Sequence, residues 1–253
     1  MSDSKIKFPK GLIPIIIFLF TWEIAARYFA IFNKAFFPPP SSVTIEFYHL
    51  IKNGILAENF VSSLKRVIIG FVSGSLVGIG MGIIMGYNEQ INKTFHPIFS
   101  LFYPIPALGW LPILMLWIGI SDLLPITIIF ICSFFPVLYN TITGIRNVPS
   151  EVINVARTLG ASEKRILFTV ILPLAIPNIF TGLRLEAGMA WRVIIAAEMV
   201  AIPIGIGALM IKAESLIRMD IIIVCLTLLS ILTLSFEKFF IYLEKKITGK
   251  WNE

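Results

Sequence analysis

Runs of about 20 apolar residues, the length at which an α-helix crosses a roughly 30 Å hydrocarbon layer, recur along this chain and limit its fold more than any other feature. They fall near 11–31, 66–87, 98–119, 121–142, 174–200 and 219–243. Lipid offers the backbone no hydrogen bonds, and runs this long are twice what a barrel strand needs, so each is expected to be a helix. A composition that is 57% hydrophobic and 14% charged, with a mean hydropathy of +0.88, excludes an ordinary soluble domain. The expectation is an all-α membrane protein with about six transmembrane helices.

One stretch breaks the apolar pattern. Residues Glu151 to Pro173 read EVINVARTLGASEKRILFTVILP and carry Glu151, Arg157, Glu163, Lys164 and Arg165, which are costly at a bilayer centre. The same stretch keeps Val152, Val155, Ala156 and Leu159 at helical spacing, the pattern of a helix that seats in a protein groove. Its first helix, Glu151 to Leu159, is expected to end at Gly160 as a C-cap. A second, from the N-cap-like Ser162 to Leu172, is expected to stop before Pro173. Lys and Arg are biased so that the N-terminus, this insert and the C-terminus share one side. That predicts N-in and C-in, with the insert in the cytoplasm.

The resulting division is a cytoplasmic tail 1–10, a first span 11–31, an external amphipathic segment 38–65 divided at Gly54, a core 66–245 containing the loop 146–173, and a cytoplasmic tail 246–253. In the second span Gly70, Gly74, Gly78, Gly82 and Gly86 recur every fourth residue, a stripe that suits close helix approach. Pro104, Pro106 and Pro112 break or kink the third span, and carbonyls freed at membrane depth need protein or a water-filled cavity. This makes Tyr103, Pro106 and Trp110 candidate pathway residues. The fifth span holds Arg184, Glu186, Arg192 and Glu198. Intramembrane charges either pair with another helix or line a pathway, and Glu186, Arg192 and Glu198 join the candidates on that ground.

No site for covalent or hydrolytic chemistry stands out. There is no phosphate-binding G-x-x-x-x-G-K-[ST] loop, no H-E-x-x-H and no G-x-S-x-G, and the two histidines, His49 and His96, fall in segments on opposite sides of the membrane. Cys132 and Cys225 lie inside apolar runs without metal-ligand spacing. The basic residues flank spans, so the net charge of +6 reports topology and not a nucleic-acid partner. Work against a gradient would then draw on an ion gradient, as in a secondary transporter, or on a partner.

The insert resembles the EAA loop of binding-protein-dependent ABC importer permeases, E-A-A, three residues, Gly, nine residues, I-x-L-P. Asn154-Val155-Ala156 stand at E-A-A, Gly160 at the glycine and Val170-Ile171-Leu172-Pro173 at I-x-L-P, with Asn154 and Val155 departing from the pattern. The segments YPIPALGWLPILMLWIGI, ARTLGAS, ILPLAIPNIFTGLRL and AWRVIIAAEM are similar to the nitrate/sulfonate/taurine branch of that family. The resemblance implies a type I importer (MetI-like) fold in a prokaryotic inner membrane. It implies a second permease copy, two cytoplasmic ABC ATPase subunits that bind ATP and Mg, and an external substrate-binding protein, with no cofactor on this chain. Glu151, Asn154, Val155, Ala156, Arg157, Leu159, Gly160 and Ala161 would form the coupling helix on the ATPase, and the solute would be small and anionic.

Overall fold

The computed structural model describes residues 12–28 and 36–249. The expected tail 1–10, both ends of the first span as read over 11–31, and the last four residues of the C-terminal tail lie outside the described residues. The described residues form helices joined by short turns. α1 (Leu12–Tyr28) is apolar along its length except near its end, where Glu23 accepts from the backbone N–H of Ser41 at 3.0 Å and from its hydroxyl at 2.9 Å. Ser41 lies in the first turn of α2 (Pro40–Lys52), whose own N-cap, Pro39, has no side-chain acceptor to offer. Glu23 therefore caps α2 from another helix.

Gly54, at φ +74°, ends α2 as expected, but the next helix does not wait for the apolar run at 66. α3 runs unbroken from Ile55 to Tyr87, so residues 55–65 are its first three turns and not part of an interfacial segment. Nothing in the backbone chemistry of a helix marks where lipid begins, and Asn59, Ser63 and Arg66 of this part of α3 are turned inward and buried. α4 (Glu89–Phe102) is capped by the Asn88 side chain, which accepts from the amides of Gln90 and Ile91. The prolines then act as expected. After a 3₁₀ turn at Ala107–Trp110, α5 (Leu111–Ile118) leaves at 83° to α4. Gly119 and the turn to Asp122 lead into α6 (Leu123–Arg146).

The glycine stripe is the seam between α3 and α6. A Cβ placed on Gly74 would stand 2.5 Å from the Phe130 carbonyl oxygen, and on Gly78 2.8 Å from that of Phe134. The α3 backbone approaches α6 this closely only because the side chain is absent on the α3 side. Gly144 and Gly182 repeat the device between α6 and α9 (Leu172–Ala201), and α11 (Met219–Thr248) closes the bundle against α9. Trp191, Ile194, Ile206, Val67 and Val224 form the centre of the main core. By length and composition α3, α6, the helix Glu163–Val200 and α11 can each cross a membrane among the described residues, and the α4–α5 pair, bent by 83°, makes a fifth where the two helices count as one span. α1, with 17 described residues, is a further apolar helix.

Candidate functional site

At one end of the bundle the insert folds as two helices around a glycine. α7 (Ser150–Thr158) ends where Gly160 takes φ +79°, with the Gly160 amide donating to the Arg157 carbonyl and the Ala161 amide to that of Ala156. These are the two bonds of a Schellman cap, and the positive φ is why glycine stands there. Ser162 then accepts from the Arg165 amide and caps α8 (Glu163–Ile166). Pro173 does not stop this helix, contrary to expectation. A π-helical turn, Leu167–Ile171, shifts the hydrogen-bond register just before the proline, and the chain runs on as α9 to Ala201.

α7 has two faces. Ile153 and Ala156 pack inward, with Ala161, on the cluster of Ile145, Val148 and Ile166. Val152, Val155 and Leu159 point away and are 42%, 60% and 81% exposed. Glu151, Asn154, Arg157 and Gly160 are exposed as well. Arg157 is not idle: its Nε and Nη2 donate to the Glu163 carboxylate at 2.8 and 3.2 Å, and the Tyr87 hydroxyl donates to the same carboxylate at 2.8 Å. The hydrogen bonds that Arg157 donates to the Glu163 carboxylate hold the pKa of its guanidinium above the ordinary value. α7 is thus tied to α8 and to the end of α3. Of the eight residues expected on the coupling surface, Ala156 and Ala161 instead hold α7 to its own chain.

At the opposite end lies a charge network that the sequence reading missed. Glu198 on α9 is wholly buried and accepts from Ser63 Oγ at 2.8–2.9 Å, from Arg66 Nη1 at 2.6 Å and from the Gly207 amide at 3.1 Å. Ser63 Oγ also accepts from the Ile206 amide at 2.9 Å, and Asn59 Oδ1 from the Gly205 amide at 2.8 Å. Gly205, Ile206 and Gly207 begin α10 (Ile206–Ser215). The orphan amides of that N-terminus are therefore satisfied by side chains of α3 and α9. The signal was available: Asn59, Ser63 and Arg66 recur at i, i+4 and i+7, a polar stripe in an apolar helix.

The six pathway candidates separate in the structure. Tyr103 and Pro106 are exposed beside the α4–α5 bend, Tyr103 stacking obliquely on Tyr139 at 4.8 Å. Trp110 is half-buried against Phe102. Glu186 is buried between α9 and α6, where it accepts from the Cys132 thiol at 3.3 Å. Glu198 is spent on Arg66 and faces no open path. Arg192 is exposed, its nearest partner the Met189 sulfur at 3.8 Å, and it forms no ion pair among the described residues. Arg184, by contrast, meets Glu244 of α11 at 3.6 Å.

Residues 74–249 match the family described as binding-protein-dependent transport system inner membrane component. The chain belongs to that family. A Methanocaldococcus jannaschii protein whose name places it among the ABC transporter permeases is 40% identical over 89% of this chain and 85% of its own length. The taurine transport system permease TauC of Escherichia coli is 30% identical over 90% of this chain and 84% of its own, and the nitrate import permease NrtB of Synechocystis 32% over 94% and 90%. Among solved structures, a chain of the MetNI methionine ABC transporter superposes with a TM-score of 0.67 over 77% of this chain and 96% of its own, at 17% identity. This ABC importer permease is a multi-pass membrane protein with the MetI-like fold. Its relatives are transport proteins and not enzymes.

Proposed function

We propose that this permease works as one of two copies, N-in and C-in, carrying a small anionic solute across a prokaryotic inner membrane. An external binding protein delivers the solute, and two cytoplasmic ATPase subunits, which hold the ATP and Mg, dock on α7. The observation that carries this reading is the division of α7 into a fastened face and a free one. Ile153 and Ala156 root the helix in the chain, while Val152, Val155 and Leu159 form an exposed apolar ridge on α7. That is the form of a helix that enters a groove on a partner. Tied to α8 and α3 through Glu163, the ridge moves with the bundle, which a rigid-body switch driven by a ligand on the partner requires.

Three relatives support the solute class. The taurine, nitrate and bicarbonate permeases share at least 30% identity with this chain, and each of those solutes bears an anionic group. Arg192, a cation of α9 that forms no ion pair among the described residues, suits a path for such a group.

The test is capture of the ATPase. With the permease and its ATPase subunit co-expressed, the double variant Val155→Asp, Leu159→Asp should insert at normal level but retain about tenfold less ATPase on purification, as loss of one central apolar anchor pair implies. Capture equal to the unaltered protein would remove α7 as the docking element.

A further inference from the structure

Arg66 lies where three elements meet at the end of the bundle opposite α7. Its Nη1 donates to Glu198 and, at 2.7 Å, to the Ile204 carbonyl, while its Nε and Nη2 donate to Asp122 Oδ1 at 3.0 and 2.6 Å. The two carboxylates stand in opposite surroundings. The Glu198 side chain has no exposed surface, whereas that of Asp122 is 73% exposed. Glu198 has Ser63 and the Gly207 amide besides Arg66; Asp122 has Arg66 as its one hydrogen-bond partner among the described residues.

Asp122 is free for this pairing for a local reason. It occupies the N-cap position of α6, where an aspartate ordinarily accepts from an amide two or three residues on, yet its side chain makes no cap. Pro125 stands at the third helical position without an N–H, and the Leu124 amide donates to the Ser121 carbonyl. The carboxylate turns instead across to α3. Beside it is a cavity of about 320 Å³ lined by Ser62, Arg66, Ser121, Asp122 and Pro203. Gly119, in the turn joining α5 to Asp122, has positive φ and nothing within 4 Å of where a Cβ would be, so no neighbour packs against the turn at that point.

The two links of Arg66 differ in strength. The Asp122 carboxylate, 73% exposed, is solvated and screened when it parts, while parting Arg66 from Glu198 strands two buried charges in a low dielectric. A rearrangement at this end therefore parts Arg66 from Asp122 and leaves Arg66 with Glu198. We infer that the Arg66–Asp122 pair is a latch on the outer mouth of the permease. It holds the α5–α6 turn to α3 and to the α9–α10 break in this conformation and releases that turn when the transporter opens outward. Arg66 acts through Asp122 and is a positioning residue. The inference rests on the importer reading above.

The test uses the full complex with its ATPase subunits in lipid nanodiscs. Ser62→Cys and Ser121→Cys are introduced together across the cavity, and intramolecular cross-linking by a short bis-methanethiosulfonate reagent is timed with and without trapping by Mg-ATP and vanadate. The pair should cross-link fast at rest and at least about fivefold slower when trapped, the mark of a local opening. Adding Asp122→Asn should bring the resting rate down to the trapped one with the thermal midpoint unchanged, and adding Asp122→Glu should keep the resting rate fast. A resting rate indifferent to Asp122→Asn, or a complex that hydrolyses ATP yet cross-links equally in both states, overturns the latch alone. Failure of any ATPase subunit to assemble on the permease overturns the importer reading and the latch with it.

Discussion

The same substitution placed six residues apart in α3 should change stability in opposite directions. Gly74→Ala puts a methyl 2.5 Å from the Phe130 carbonyl oxygen and 3.1 Å from its Cα, both backbone atoms that no rotamer change can move away. The helices must part by several tenths of an ångström along a seam that Gly70, Gly78, Gly82 and Gly86 hold equally tight. Overpacking of this kind costs about 1–3 kcal/mol, and a rigid neighbour puts it in the upper part of that range. Replacing glycine in a helix returns about 1 kcal/mol, leaving a net loss of about 1–2 kcal/mol. At Gly80 nothing lies within 4 Å of the new methyl, so only the gain remains. The two variants should thus differ by about 2–3 kcal/mol in thermal or denaturant unfolding of the purified permease in detergent, followed by tryptophan fluorescence. Equal stability of Gly74→Ala and Gly80→Ala would refute the α3–α6 seam described here.

Three further outcomes follow from the site. Glu198→Ala should destabilise the permease by about 3–5 kcal/mol, because it leaves the buried Arg66 with only an exposed partner; Glu198→Gln should cost less, and unfolding of the two variants checks the order. Gly160→Ala meets no neighbour and carries only the strain of a left-handed backbone, about 1 kcal/mol, which should speed hydrogen exchange at the Gly160 and Ala161 amides roughly fivefold and leave α3 and α6 unchanged. Arg192→Gln should leave the thermal midpoint in place, since Arg192 forms no ion pair among the described residues, but reduce uptake of whichever of taurine, nitrate or bicarbonate the unaltered complex carries, with Arg192→Lys retaining more of it.

What was legible in the sequence was what local chemistry decides. The glycine stripe had to be a close-packed seam, Pro104 and Pro106 had to break their helix, and Gly160 followed by Ser162 had to end one helix and begin the next. What was not legible depended on residues distant in the chain. Glu198 finds Arg66 132 positions away, and neither side chain announces the other. Which face of α7 turns inward depends on Ile145 and Ile166 beneath it, so Ala156 was grouped with Val155 although the two point apart. Pro173 was read as a stop because a π turn, which lets a helix pass a proline, has no sequence pattern of its own.

The central claim, that α7 couples this permease to an ATPase, is tested most directly by solute uptake into liposomes reconstituted with the permease, its ATPase subunit and its binding protein. Uptake should require ATP on the α7 side, persist when ionophores collapse ion gradients, and be lost in the Val155→Asp, Leu159→Asp variant. Uptake that proceeds without the ATPase subunit and stops when a proton or sodium gradient is removed would contradict it.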